Sequence, residues 1–276
     1  MGSGGAAPPF HPLMASGTLR HPMSLRIRNR NAFGVFLAVL LGGLLLPENA
    51  SAEGKNVAIK GKIQGGESLI NPVWAEAADA KNHRYTFRAR SMSVGKQQRP
   101  TAYLPRELCL AVLSKEGPGA GRGTPFMVGV SGGRTSPVTL VIPDAQAVQF
   151  INHDPFAHKL FDTGKGGFGP EEMKAGGSRS WKAPNAGVYE IRDQLAPSVR
   201  TWVVVEPRVV QTAYPQINGE YVIRDLEPGT YDLQGFFMGK PVGKALSIEV
   251  KSGQGEQEIR EPLVVAEPEK SREESK

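Results

Sequence analysis

Residues 148–158 read VQFINHDPFAH, and residues 187–205 read GVYEIRDQLAPSVRTWVVV. In the first stretch an apolar strand runs into the polar residues Asn152, Asp154 and His158. In the second, a Tyr-containing strand leads through a loop, 193–199, into an apolar closing strand. Both read as strands of one β unit. The chemistry that this unit can carry depends on the loop that closes it.

Outward from these stretches the chain keeps the same character. Short alternating or apolar runs recur at 56–62, 85–90, 108–114, 126–130, 138–142, 147–151, 187–192 and 201–205, and then at 219–223, 230–235, 245–250 and 258–265. Clusters of Gly and Pro separate them, drawn from 33 Gly and 22 Pro in the chain. No stretch longer than about ten residues holds a 3.6-residue apolar period. Many short strands with this punctuation predict an all-β chain of sandwiches. Three regions are expected: an N-terminal β region at 53–124, a sandwich at 125–207 and a second small sandwich at 208–266. The glycine-rich 115–124 lacks the Gly-Lys-Ser/Thr ending and following helix of a phosphate cradle, so it reads as a linker.

The N-terminus reads differently. Arg26, Arg28 and Arg30 precede an apolar run at 35–46, and Ala50-Ser51-Ala52 supplies the small residues of a cleavage site. That is the tripartite pattern of a secretory signal peptide, so 1–52 is expected to be an extension plus signal. The run is too short to span a bilayer comfortably, and no transmembrane segment is expected in the mature chain. The formal charge of +6 falls to +3 once residues 1–52, with four Arg and one Glu, are set aside. So small and scattered an excess excludes nucleic acid as a partner. Cys109 is the only cysteine, which excludes an intrachain disulfide. In ELCLAVL it reads as a buried small residue. The polar 267–276 is expected to be a disordered, solvated tail.

Several segments together resemble the cupredoxin superfamily, to which plastocyanin and azurin belong. Residues 126–130, 137–142 and 148–154 look like its early strands, 180–189 like the lead-in, and 200–207 like its closing strand. The pattern G-x-Y-x-I-x-x-L-x-P-G-x-Y-x-L at 219–233 resembles a carboxypeptidase-regulatory or transthyretin-like sandwich. The pairing of the two is similar to methylamine-utilisation-like proteins of bacterial envelopes. The resemblance implies a cupredoxin-like Greek-key β-sandwich followed by a small C-terminal sandwich.

It also implies where copper ligands would stand. Type 1 copper needs two imidazoles, a thiolate and a weak axial thioether. His158 matches the first imidazole. The closing loop then places Asp193 where the thiolate would be, Ala196 at the second imidazole and Val199 at the thioether. Ala and Val have no donor atom, and an aspartate oxygen is too hard for Cu(I). A hard-donor site for Zn²⁺ or Cu²⁺ could draw on His153, His158, Asp162 and Asp193. An extended 148–153, however, puts His153 on the opposite face from Asn152. The simpler expectation is a hydrogen-bonded pair of His158 and Asp193, which satisfies both buried groups without metal. Ser178, His158 and Asp193 lack the strained nucleophile turn that a catalytic triad requires. Trp181 and Trp202 are expected in the core, with Trp74 and Phe168 as exposed aromatics.

The resulting expectation is a non-enzymatic, exported binding or assembly module of the bacterial envelope, without cofactor, whose partner is an envelope protein or a glycan. The periplasm is the expected location, with secretion or the outer membrane as alternatives. Two other readings stay open. One is a copper-binding or electron-transfer protein with a non-standard metal site at His158 and Asp193. The other is a carbohydrate or cell-wall binder.

Overall fold

The computed structural model describes residues 56–70, 93–94, 99–119, 121 and 123–266. The expected signal peptide, the strand at 85–90, Trp74 and the C-terminal tail lie outside the described residues. In chain order the strands are β1 (Val57–Gln64), β2 (Ser93–Val94), β3 (Arg99–Pro100), β4 (Leu108–Ser114), β5 (Phe126–Ser131) and β6 (Arg134–Ser136). They continue with β7 (Thr139–Ile142), β8 (Ala147–Asn152), β9 (Leu160–Asp162), β10 (Ser178–Lys182), β11 (Gly187–Asp193) and β12 (Arg200–Val205). The last six are β13 (Val209–Ala213), β14 (Glu220–Leu226), β15 (Gly229–Phe237), β16 (Lys240–Val250), β17 (Glu256–Glu258) and β18 (Leu263–Val264). A single helical turn, Leu104–Glu107, leads into β4. The described residues are nearly all β, as the strand-and-turn punctuation predicts.

Four sheets of four strands stack in layers. Sheets β10-β8-β5-β6 and β7-β12-β11-β9 form the cupredoxin-like sandwich over the middle of the chain, with β5–β8 and β7–β12 parallel and the other pairs antiparallel. Sheets β13-β4-β15-β16 and β14-β1-β17, the latter with β18 alongside β1, form the second sandwich. Residues 53–124 therefore do not make a β region of their own among the described residues. Their strands β1 and β4 pair with β14, β13 and β15 and complete the C-terminal sandwich.

The sequence of β4 gives the physical reason. Its first six residues, LCLAVL, are all buried. Leu108, Leu110 and Val112 face β1 and β14 in one core, whereas Cys109, Ala111 and Leu113 face Val141 of β7 and Val204 of β12 in another. A strand apolar on both faces cannot sit in a half-exposed sheet; it needs a layer on each side. Strands β7 and β12 obey the same rule. Leu140, Ile142, Val203 and Val205 point into the cupredoxin-like core, and Val141 and Val204 point toward the second sandwich. Polar links fix the junction: Val138 N donates to Arg106 O (2.9 Å), and Tyr214 OH donates to Thr139 O (2.9 Å). Burial pushes the Cys109 thiol up to about 12, so it is a core side chain and not a reactive thiol.

Turn chemistry sets the hairpins. Gly132 and Gly133, at φ 60° and 66°, join β5 to β6 through a two-residue turn that needs left-handed backbone at both positions. Met238 and Gly239, at φ 52° and 74°, do the same between β15 and β16. The latter hairpin starts strand β16 at Lys240, five residues before the apolar period at 245–250 begins. Its first half is largely exposed, so no apolar alternation marks it in the sequence.

Glu107, at the end of the helical turn, is 3% exposed. Burial pushes its carboxyl from the usual 4.5 to about 7, against the pull of the Arg106 and Arg134 guanidiniums. A proton held more tightly in the folded state gives stability that is complete below 4.5 and lost as pH rises through about 7. The difference amounts to roughly 3 kcal/mol. Glu107→Gln is expected to flatten the fall in unfolding free energy between these pH values, measured by urea denaturation across the range. An unchanged slope would show that another group carries it.

Candidate functional site

One end of the cupredoxin-like sandwich is organised by Asn152, at the close of β8. Val148, Phe150 and Asn152 are buried on one face of that strand, and the intervening Gln149 and Ile151 are half-buried. The Asn152 side chain is fully buried. Its Nδ2 donates to the carbonyls of Phe156 (2.8 Å), Lys174 (3.0 Å) and Met173 (3.1 Å), while its Oδ1 accepts from Asp154 N (2.8 Å). One side chain thus ties the 153–157 loop to the 173–174 segment. A short antiparallel bridge between His158 and Met173 continues the tie.

The glycine turn between β5 and β6 aims two amides at Asp154. Gly132 N donates to Oδ1 at 2.6 Å and Gly133 N to Oδ2 at 3.1 Å. On the other side Asp193, the last residue of β11, is a local cap for the closing loop. Its Oδ1 accepts from Leu195 N (2.6 Å), Lys159 N (3.2 Å) and Ala196 N (3.2 Å). The second oxygen of each carboxylate is left pointing at the fully buried ring of His158. Nδ1 lies 2.5 Å from Asp193 Oδ2, and Nε2 lies 3.1 Å from Asp154 Oδ2.

The donor inventory defines what this trio is. An ionised carboxylate only accepts, so each nitrogen–oxygen contact must contain a proton. The amides of Gly132, Gly133, Lys159, Leu195 and Ala196 supply further hydrogen bonds to the two carboxylates. Burial pushes the Asp154 carboxyl upward, but the Gly133 and Gly132 amides and the His158 imidazole outweigh it and hold the group below the ordinary carboxylate range. Phe156 lies over the imidazole with ring centroids 5.0 Å apart, and both Phe156 and Leu195 are about half exposed at this end.

The expected contact of His158 with Asp193 is present, and Asp154 completes it. Asp154 stands out in the sequence only as part of the turn after β8; the fact that the glycine turn reaches it depends on two strands meeting. His153 is exposed and packs against Gly129, away from the trio. Asp162 accepts from Gly166 N in a separate loop beneath Trp181 and Tyr189. Ala196 and Val199 pack into the apolar core, linked by Val199 N to Ala196 O (2.9 Å). Ser178 is exposed on β10 and accepts from Gln149, so it forms no triad with His158. Trp181 and Trp202 are buried as expected. Phe168, expected to be exposed, is instead 5% exposed. It stacks between Phe150 and Trp181 under the Arg179 guanidinium, 4.3 Å from its ring centroid. Arg179 also donates to the carbonyls of Leu160, Gly169 and Glu171, which folds this loop inward.

A type 1 copper set of two imidazoles, thiolate and thioether cannot be assembled from His158, Asp193, Ala196 and Val199. Both nitrogens of the one imidazole are already engaged. A metal ion would have to displace a carboxylate from the ring and leave its hydrogen bonds unmet. Among the described residues, no cluster of three or more His, Cys, Asp or Glu side chains forms a donor set for a metal ion.

No protein-family model matches the chain, and no curated protein does. Solved structures that resemble it include amicyanin from Paracoccus versutus, at 20% identity, covering 37% of this chain and 99% of that one with a TM-score of 0.28. A purple cupredoxin from Nitrosopumilus maritimus aligns at 20% identity over 29% of this chain and 99% of its own, with a TM-score of 0.27. A copper-containing nitrite reductase from Thermus scotoductus aligns at 21% identity over 32% of this chain and 25% of its own, with a TM-score of 0.28.

Asp154 makes the trio sensitive to acid. A folded-state pKa held below the usual 3.8 gives stability that is complete above that value and lost as pH falls below it. Asp154→Asn is expected to be less stable than the native chain at neutral pH. The gap should close as pH falls through the acid range, read from thermal unfolding midpoints. A gap that stays constant with pH would assign the loss to packing instead.

Proposed function

We propose that this chain is a non-enzymatic, cupredoxin-like binding or assembly module of the bacterial cell envelope that works without copper. The observation that carries this reading is the engagement of both His158 ring nitrogens by Asp193 and Asp154. Where a blue-copper protein would hold its metal, this chain holds a charge-assisted hydrogen-bond lock. The lock closes the end of the sandwich: the Asp193 amide cap shapes loop 193–199, and Asn152 ties down the loop opposite.

Supporting features come from the rest of the chain. The His158 ring is hydrogen-bonded to the carboxylates of Asp154 and Asp193, and Cys109 is buried in the layer between the two sandwiches. The signal-like N-terminus favours export, with the periplasm as the location. The second sandwich reads as a carboxypeptidase-regulatory-like scaffold that holds the first through a wide apolar contact. Among the described residues, no helix is long and apolar enough to cross a membrane. The partner is an envelope protein or a glycan. Of the two aromatics expected to be exposed, Phe168 is part of the core, and Trp74 lies outside the described residues.

Titration of the purified protein with Cu²⁺ and Cu⁺ tests the reading. The expected result is no intense thiolate-to-copper absorption and no tight one-to-one uptake by calorimetry. Stoichiometric binding that His158→Ala abolishes would replace this reading with that of a metal carrier.

A further inference from the structure

We propose that the seam between the two sandwiches is a proton-sensitive joint, shut while Glu107 is a neutral acid and loosened when that carboxyl ionises. The device is independent of what the module binds. Its polar anchor is a single point where the chain enters β7. There Arg106 O accepts from Val138 N (2.9 Å), Tyr214 OH donates to Thr139 O (2.9 Å), and Met238 N donates to Thr139 Oγ1 (3.2 Å). Three separate parts of the second sandwich thus hold two consecutive residues of the first.

Glu107 is built into this anchor. It follows Arg106 in the helical turn, so any shift of the turn that relieves the carboxyl also moves the Arg106 carbonyl from Val138. Arg134, on β6 of the cupredoxin-like sandwich, pulls on the same carboxyl from across the seam. The other titratable and charged groups of the seam are already committed. Burial keeps the Cys109 thiol and the Tyr214 hydroxyl protonated, and Arg200 of β12 pairs with Glu190 (3.0 Å).

The geometry suits an acid better than an ion. The Arg106 guanidinium lies 3.7 Å from Glu107 Oε1, beyond the roughly 2.7–2.9 Å of a charge-assisted hydrogen bond. It is also drawn to the Tyr103 ring, 5.4 Å from its centroid. A neutral carboxyl tolerates that separation, whereas a carboxylate this deeply buried is stabilised by admitting water. Burial accordingly pushes the group from 4.5 to about 7, against the pull of Arg106 and Arg134. An opened seam returns it to its ordinary range. The closed form is therefore fully favoured below 4.5 and loses that advantage as pH rises through about 7.

Amide hydrogen exchange of the full chain, corrected for the intrinsic effect of pH on exchange, tests the joint. Protection of the Val138 and Met238 amides is expected to fall about fiftyfold between about pH 5 and about pH 8, while the amides of β1 and β8 hold theirs. Glu107→Gln, which stays neutral, should keep Val138 and Met238 protected throughout. The carboxyl ¹³C signal of Glu107 in the unaltered chain should titrate near 7. The proposal is overturned if that signal titrates in the ordinary carboxylate range, or if Val138 and Met238 keep their protection at the higher pH. It is equally overturned if β1 and β8 lose protection in step, which is global unfolding, or if the Gln variant still loosens.

Discussion

Everything in this structure is arranged around an apolar layer that lies between two sandwiches rather than inside either one. Strands β4, β7 and β12 are each buried on both faces, and their odd and even residues serve different cores. With period-2 side chains, a continuous apolar run can be satisfied only by a layer on each side. The four sheets therefore form one stack. The second sandwich is neither an appendage nor a product of the C-terminal segment alone. It takes β1 and β4 from before the cupredoxin-like strands and the rest from after them, so the middle sandwich is inserted within it.

The trio at the far end of the stack follows a different logic. Buried charge is tolerated only with partners and hydrogen bonds. His158, Asp154 and Asp193 meet this condition through amides supplied by three separate loops. The glycine turn of β5–β6 serves Asp154, the closing loop serves Asp193, and Asn152 fixes the loop between β8 and His158. Aspartate at 193 meets the buried imidazole with an acceptor that also caps the backbone of its own loop.

Much of this was legible before any coordinates. Turn clusters and short apolar runs place most of the strands. The contact between His158 and Asp193 followed from the need to satisfy two buried polar groups. Less visible was the ownership of strands: β1 and β4 read as a separate region because pairing across more than a hundred residues leaves no local trace. Strand β16 was half hidden, since its exposed first part has no apolar period. Phe168 looked like a loop aromatic because its glycine-rich surroundings do not reveal the Arg179 side chain that folds the loop over it.

The sequence by itself determined the class of structure and the donor atoms at each loop position, because periodicity, turn residues and ligand atoms are properties of local residue types. It made strands of 147–151 and 201–205, buried Cys109 and withheld a thiolate from residue 193. Only the tertiary structure decided that the first strands complete the last sandwich and that Asp154 joins His158. Each of these depends on which distant segments meet, and that is settled by the shared burial of opposite strand faces.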